Sequence, residues 1–342
     1  NFSFQTNATL IDKELLTILH DFNASVGISF DGSKESNSLR TLMDTDNLSD
    51  LILQFKRFNV NYGMLMVVTP TNVDKVLENM EYIKNTFSIK SIKVNYAEDV
   101  LGAGECEVEG NQFFEKVQKK ILEAYINREL PLEESNLDLI IKNYFRSRFT
   151  GIKPLEIFSS SCGLKICGGG SRILEVSPDG GMYFCGRYSK DFEESYISKV
   201  YEKDFLSLRH IKRYSDTVKI RHDIIKDVGC DTCIADDICD HGCIAFHFSK
   251  FQKWGIREDL SCQIFKPLKI FIVENEEEIF NAWFDSNKDN EGKLYLNIGT
   301  PVSEDMLDRM KKIVNKSYIV EIDNKFNSKD GRIPQVVFSK KE

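Results

Sequence analysis

The sequence predicts an α/β protein in three parts, on three observations. Short apolar runs alternate with stretches of helical period from residue 1 to about 130; eight of the nine cysteines fall between Cys162 and Cys262; and after Pro267 the strand-and-helix alternation returns without cysteine. Strand–helix units in succession pack as parallel strands joined by right-handed crossovers, in an open sheet or a barrel.

Phe2 to Thr6 reads as a strand, and Leu15, Ile18, Leu19 and Phe22 then share one face of a helix. Ser25 to Phe30 is a buried-strand run, followed by a helix carrying Leu51, Phe55 and Phe58. Tyr62 to Val68 is a strand closed by Thr69-Pro70, with Val73, Val76, Leu77, Met80 and Ile83 on the next helix face. Ser91 to Tyr96 is the fourth strand, before a long helix around Phe113, Val117 and Ile121. Pro131 marks a break, after which a helix runs through Leu137, Ile140, Ile141, Tyr144 and Phe145. Ile173 to Phe184 reads as a hairpin turning on Pro178-Asp179-Gly180-Gly181. Beyond Pro267 the expected order is strand Lys269 to Val273, helix Glu277 to Phe284, strand Lys293 to Ile298, helix Glu304 to Val314, strand Tyr318 to Ile322 and a last strand Gln335 to Phe338. The expected domains are 1–130, a helical bridge at 131–154, a cysteine-rich domain at 155–268 and a small α/β appendage at 269–342.

With 342 residues, 42% of them hydrophobic, the chain is expected to bury one or two cores. Lys plus Arg number 45 and Asp plus Glu 53, for a net charge of −8, and the signs are interspersed. That pattern argues against nucleic acid or an anionic membrane as a partner. No apolar run reaches the ~18 residues that span a bilayer. The chain opens on Asn1-Phe2-Ser3-Phe4, which reads as a strand already in progress and suggests a fragment.

A disulfide framework belongs to small domains that lack a core, so metal is the better reading of the cysteines and a reducing cytoplasm the expected location. The spacings are Cys162-x4-Cys167, x12 to Gly180, x4 to Cys185, then Cys230-x2-Cys233-x5-Cys239-x3-Cys243 and x18 to Cys262. Eight thiolates make two four-ligand sites, with zinc and iron–sulfur both admissible on spacing alone.

This run resembles the seven-cysteine signature of the SPASM domain of radical S-adenosylmethionine (radical SAM) enzymes, with Cys162 as an additional upstream ligand. The resemblance implies a partial (β/α)6 radical SAM barrel missing its first units, a SPASM domain and the α/β appendage. It implies two auxiliary [4Fe-4S] clusters, one held by Cys162, Cys167, Cys185 and Cys243, the other by Cys230, Cys233, Cys239 and Cys262. Thr6-Asn7-Ala8-Thr9 is similar to the family's T-N-G-T segment with Ala8 in place of Gly, and Ser29-Phe30-Asp31-Gly32 to its S-x-D-G strand. Ser29 would then reach the ribose or methionine part of S-adenosylmethionine and Arg40 its carboxylate.

By this resemblance the chain is part of a maturase that abstracts hydrogen from a precursor peptide or protein, leading to a crosslink or an oxidation. A reducing partner such as flavodoxin or ferredoxin is implied, and residues 269–342 could recognise a leader peptide or a partner protein. Such an enzyme binds its catalytic cluster at C-x3-C-x2-C, and the only cysteine outside the clustered region is Cys106. About two units of roughly 30 residues are therefore expected upstream, with that third cluster. Gly186-Arg187 follows Cys185 where the sulfatase-maturing branch carries Asp, which points away from sulfatase maturation. The rival readings are a two-zinc structural, protein-binding module and an electron-transfer partner. His241 and His247 are read as structural or solvent-facing, or else as cluster neighbours; Asp31 as a helix cap or substrate contact.

Overall fold

The computed structural model describes residues 2–38, 45–97, 107–152, 174–183, 195–201, 229–239, 241–243, 246, 250–251, 259–298, 300–314, 316–323 and 335–341. These fall into two compact units, one of residues 1–97, 105–142 and 281–283, the other of 98–104, 143–280 and 284–342.

In the first unit strand and helix alternate as the apolar periods require. The order is β1 (Ser3–Thr6), α1 (Lys13–Asp21), β2 (Ser25–Ser29), α2 (Thr45–Arg57), β3 (Asn61–Val68), α3 (Val76–Phe87) and β4 (Ser91–Tyr96). A helix follows in three segments, α4 (Gly110–Phe113), a π-helical turn (Phe114–Gln118) and α5 (Lys119–Ile126), then β5 (Glu133–Glu134) and α6 (Ser135–Thr150). The five strands lie in the order β1-β2-β3-β4-β5, every pair parallel. The order follows the chain without reversal, as strands follow one another round a barrel, whereas a doubly wound sheet reverses once. Val26, Ile28, Met64, Met66, Ile92 and Val94 are buried, as are Leu16, Leu48, Phe55, Met80 and Ile83 on the helices.

Two buried carboxylates lock the sheet's connections. Asp31, two residues past β2, accepts from the Val67 amide of β3 at 2.8 Å through Oδ1 and so ties the loop after β2 to β3. Glu134 Oε1 accepts from the amides of Val94 and Asn136, and its Oε2 from Leu137, capping α6 while holding the β4 edge. Burial pushes the Glu134 carboxyl up to about 7, against the pull of those three amides.

The second unit begins within α6. Its strands β6 (Glu175–Val176), β7 (Gly181–Tyr183) and β8 (Tyr196–Lys199) form an antiparallel sheet around the expected Pro178-Asp179-Gly180 turn, where Gly180 takes φ +80°. Next come a 3-10 turn (Cys230–Thr232), α7 (Leu260–Glu274), α8 (Glu276–Asn287), β9 (Lys293–Asn297), α9 (Glu304–Ile313), β10 (Tyr318–Asp323) and β11 (Gln335–Lys340). The last three strands form an antiparallel sheet in the order β10-β11-β9.

One expectation is corrected here. Lys269 to Val273 is helical, the end of α7, rather than a strand. Leu260, Ile264, Leu268 and Ile272 recur every fourth residue and are buried, while Ile270 and Val273 are about half exposed. The helical stripe begins before Pro267, which lies inside the helix and removes only one backbone donor. α7 therefore crosses the expected boundary at 268/269. A cluster of aromatic rings joins α6, α8 and the last sheet within this unit: Phe145 lies 5.1 Å from Phe280, Phe149 5.4 Å from Phe338, and Phe280 5.1 Å from Tyr318.

Candidate metal centre

Cys230, Cys233, Cys239 and Cys262 line one cavity with Ala235, Asp236, His241, Ser261, Phe265 and Lys266. All four are thiols, as is Cys243, which is half-buried and is not among the cavity's lining residues.

The sequence folds into this ring through tight turns. Gly229 takes φ +69° and opens the 3-10 turn, and the Cys233 amide closes on the Cys230 carbonyl at 3.1 Å. The Asp236 amide then donates to the Cys233 carbonyl at 3.1 Å and the Cys239 amide to the Ala235 carbonyl at 2.8 Å, so three cysteines of one ten-residue segment reach the same cavity. Cys262 arrives from the first turn of α7. After Cys239 the chain reverses through two left-handed residues, His241 at φ +61° and Gly242 at φ +75°. The His241 amide donates to Cys239 Sγ at 3.3 Å, and its Nε2 lies 3.1 Å from Asp236 Oδ1.

The donor set is soft and anionic when deprotonated, as a zinc or iron–sulfur centre requires. Among the described residues no three His, Cys, Asp or Glu side chains gather into a group that could hold one metal ion. Four thiolates around one cavity are a donor set that a [4Fe-4S] cluster takes, so the residues present fit that group.

Cys162, Cys167, Cys185, Arg40, Cys106, His247 and Gly186-Arg187 lie outside the described residues. Ser29 ends β2 half-buried, paired with Leu65 of β3 at the carboxyl end of the parallel strands. Ala8 adopts φ +68°, the left-handed conformation that a glycine at that position supplies without strain. His241, read from the sequence as structural or solvent-facing or as a cluster neighbour, is buried on the cavity wall. Asp236 was not legible as a partner, since nothing in an acidic pair beside Ile238 distinguishes a buried carboxylate from a solvated one.

The α/β fold with its parallel sheet in chain order is one that solved structures share. Three solved structures share the fold. A hexahistidine-tagged anSMEcpe with bound AdoMet matches at TM-score 0.64 and 21% identity, over 85% of this chain and 73% of that one. Native anSMEcpe with bound AdoMet and Kp18Cys peptide matches at 0.63 and 22%, over 83% and 75%. Streptococcus suis SuiB bound to precursor peptide SuiA matches at 0.52 and 17%, over 76% and 58%. At these identities the likeness is one of fold.

By sequence, the chain is 25% identical over 283 residues to a cysteine-type anaerobic sulfatase-maturating enzyme of Clostridium novyi, covering 78% of this chain and 69% of that protein. It is 26% identical over 274 residues to an uncharacterized protein of Archaeoglobus fulgidus, covering 79% of this chain and 62% of that protein. The chain thus spans about 62–69% of the length of these relatives. No protein-family model matches it. The structural neighbours are radical SAM/SPASM peptide maturases, the group that the cysteine spacing resembles. Among the described residues no helix is long and apolar enough to cross a membrane.

Proposed function

We propose that the chain is the sheet and auxiliary-cluster portion of a radical SAM maturase acting on a precursor peptide or protein. The observation that carries this reading is the cavity ringed by Cys230, Cys233, Cys239 and Cys262, thiols drawn together from separate turns in a chain with the fold of peptide maturases. In this reading those four hold one [4Fe-4S] cluster, and Cys243 joins Cys162, Cys167 and Cys185 in holding a second. Bound there, the clusters would supply one-electron transfer. The chain's own part is to present four thiolates, to exclude water with Phe265 and Ala235, and to aim the His241 amide at a ligand sulfur. The parallel sheet is read as an arc of a partial barrel whose strand ends, Ser29 among them, face S-adenosylmethionine. The outcome on the peptide is a crosslink or an oxidation, with flavodoxin or ferredoxin as reductant.

Anaerobic reconstitution tests the reading. Brown protein with about eight irons and eight sulfides per chain is expected, on four irons for each four-thiolate site. Two zinc ions without acid-labile sulfide would establish the structural zinc module instead. The sequence contains no C-x3-C-x2-C, so this chain alone is expected to release no 5′-deoxyadenosine from S-adenosylmethionine with dithionite. A longer protein that carries the motif should do so and change the mass of its precursor peptide.

A further inference from the structure

The cavity wall carries a feature that the ligand count does not require. His241 sits at φ +61°, a left-handed conformation that disfavours a residue with a Cβ, although His, Asn and Asp adopt it more readily than most. It is 4% exposed, and its ring meets Asp236, itself 5% exposed, at 3.1 Å. The same residue's amide reaches Cys239 Sγ at 3.3 Å. The ring is thus anchored in the turn between Cys233 and Cys239 while the backbone is aimed at a candidate ligand sulfur. Both side chains line the cavity.

We propose that Asp236 and His241 form a clasp over the cluster held by Cys230, Cys233, Cys239 and Cys262. The ring–carboxylate pair holds residue 241 left-handed, which fixes the N–H···S bond to Cys239, and the ring shields the centre from solvent. Both are positioning residues. One-electron reduction adds negative charge to a cluster, and an N–H dipole aimed at a ligand sulfur offsets that charge, so the bond raises the reduction potential. This inference rests on the cavity being a cluster site.

The test uses the full chain, reconstituted anaerobically, with the cavity centre identified as the visible and electron paramagnetic resonance signal lost in Cys233→Ala. Two quantities are read: the potential of that centre by redox titration, and its rate of iron loss to a ferrous chelator. His241→Ala removes the anchor yet keeps a Cβ at φ +61°, so the amide should swing from the sulfur. The reduction equilibrium should fall about tenfold, about 59 mV for one electron, and iron loss should quicken several-fold. Asp236→Ala should follow it. His241→Gly accepts φ +61° without strain, so it should recover most of the potential while still losing iron quickly. Asp236→Asn keeps a hydrogen-bond partner for the ring and should stay near wild type on both readouts.

A fully loaded cavity centre whose potential and iron loss are unchanged in His241→Ala and Asp236→Ala would overturn the clasp and leave the cluster reading intact. An equal fall in potential for His241→Gly and His241→Ala would overturn the backbone part. If the wild type takes up no iron at this cavity, the underlying reading fails instead.

Discussion

Lys269, in the third turn of α7, ion-pairs through Nζ with Asp237 Oδ2 and lies over the Tyr144 ring, 4.2 Å from its centroid. Both charged side chains are nearly buried, at 11% and 13% exposure. The pair ties α7 to the turn that carries Cys239, about 30 residues earlier in the chain. Burial lowers the Lys269 pKa, and Asp237 opposes that shift. Breaking such a pair strands a charge. Lys269→Met should therefore destabilise the protein by about 3–5 kcal/mol, and adding Asp237→Asn should restore part of it. Denaturant melts of the four species close the cycle; additive effects would show that the pair is not coupled.

The cysteines divide between two roles. Cys262→Ser removes a thiol from the ringed cavity and should halve the iron and sulfide content, leaving the other centre's spectrum. Cys243→Ala, outside that lining, should spare the cavity centre and disturb the other. Loss of the cavity centre's signal in Cys243→Ala would show that the two ligand sets are divided differently.

Glu134 makes stability depend on pH. Its folded pKa of about 7 lies above the ordinary 4.5 because burial outweighs the three amide donors. Between these values the folded state holds a proton that the unfolded chain has released. The contribution is thus full below about pH 4.5 and lost as pH rises to about 7, up to about 3 kcal/mol. In urea titrations from about pH 5 to 8, Glu134→Gln should flatten this component of the slope. It should also lower stability by roughly 1–3 kcal/mol, since an amide NH2 then opposes the Leu137 N–H.

The loop after β2 allows no side chain at Gly32. Its φ is +118°, and a Cβ there would overlap the side chain of Asn79. Asn79 is buried, accepting from the Ser33 amide and donating to Ser36 Oγ, so it has nowhere to go. Gly32→Ala should cost about 2 kcal/mol or more, from the backbone conformation and a displaced buried amide together. A thermal melt unchanged from wild type would show that this loop is not built as described.

Much of the fold was legible because burial imposes periods. Leu51 and Phe55 on α2, or Met64, Met66 and Val68 on β3, announce their elements by spacing alone. The error at Lys269–Val273 arose because Pro267 looked like an end and Ile270, Ile272 and Val273 are β-branched, while the deciding stripe lay upstream at Leu260 and Ile264. At the candidate site, the cysteine spacing was legible because thiolates have few uses in such numbers. Asp236 was not, because a lone carboxylate carries no period, and His241 was legible only as a histidine beside the cysteines.

What the sequence determined by itself is therefore the alternation that builds parallel strands, the identity of the thiolate donors and the glycine-demanding turns, all of which act over a few residues. The tertiary structure alone decided that Asp236 and His241 share one cavity wall with the four cysteines, that α7 runs through the expected boundary at 268/269, and that a histidine at φ +61° turns its amide to a sulfur. Those outcomes depend on where turns well separated in the chain meet, and the energy that selects them is shared among many buried contacts with no local signature.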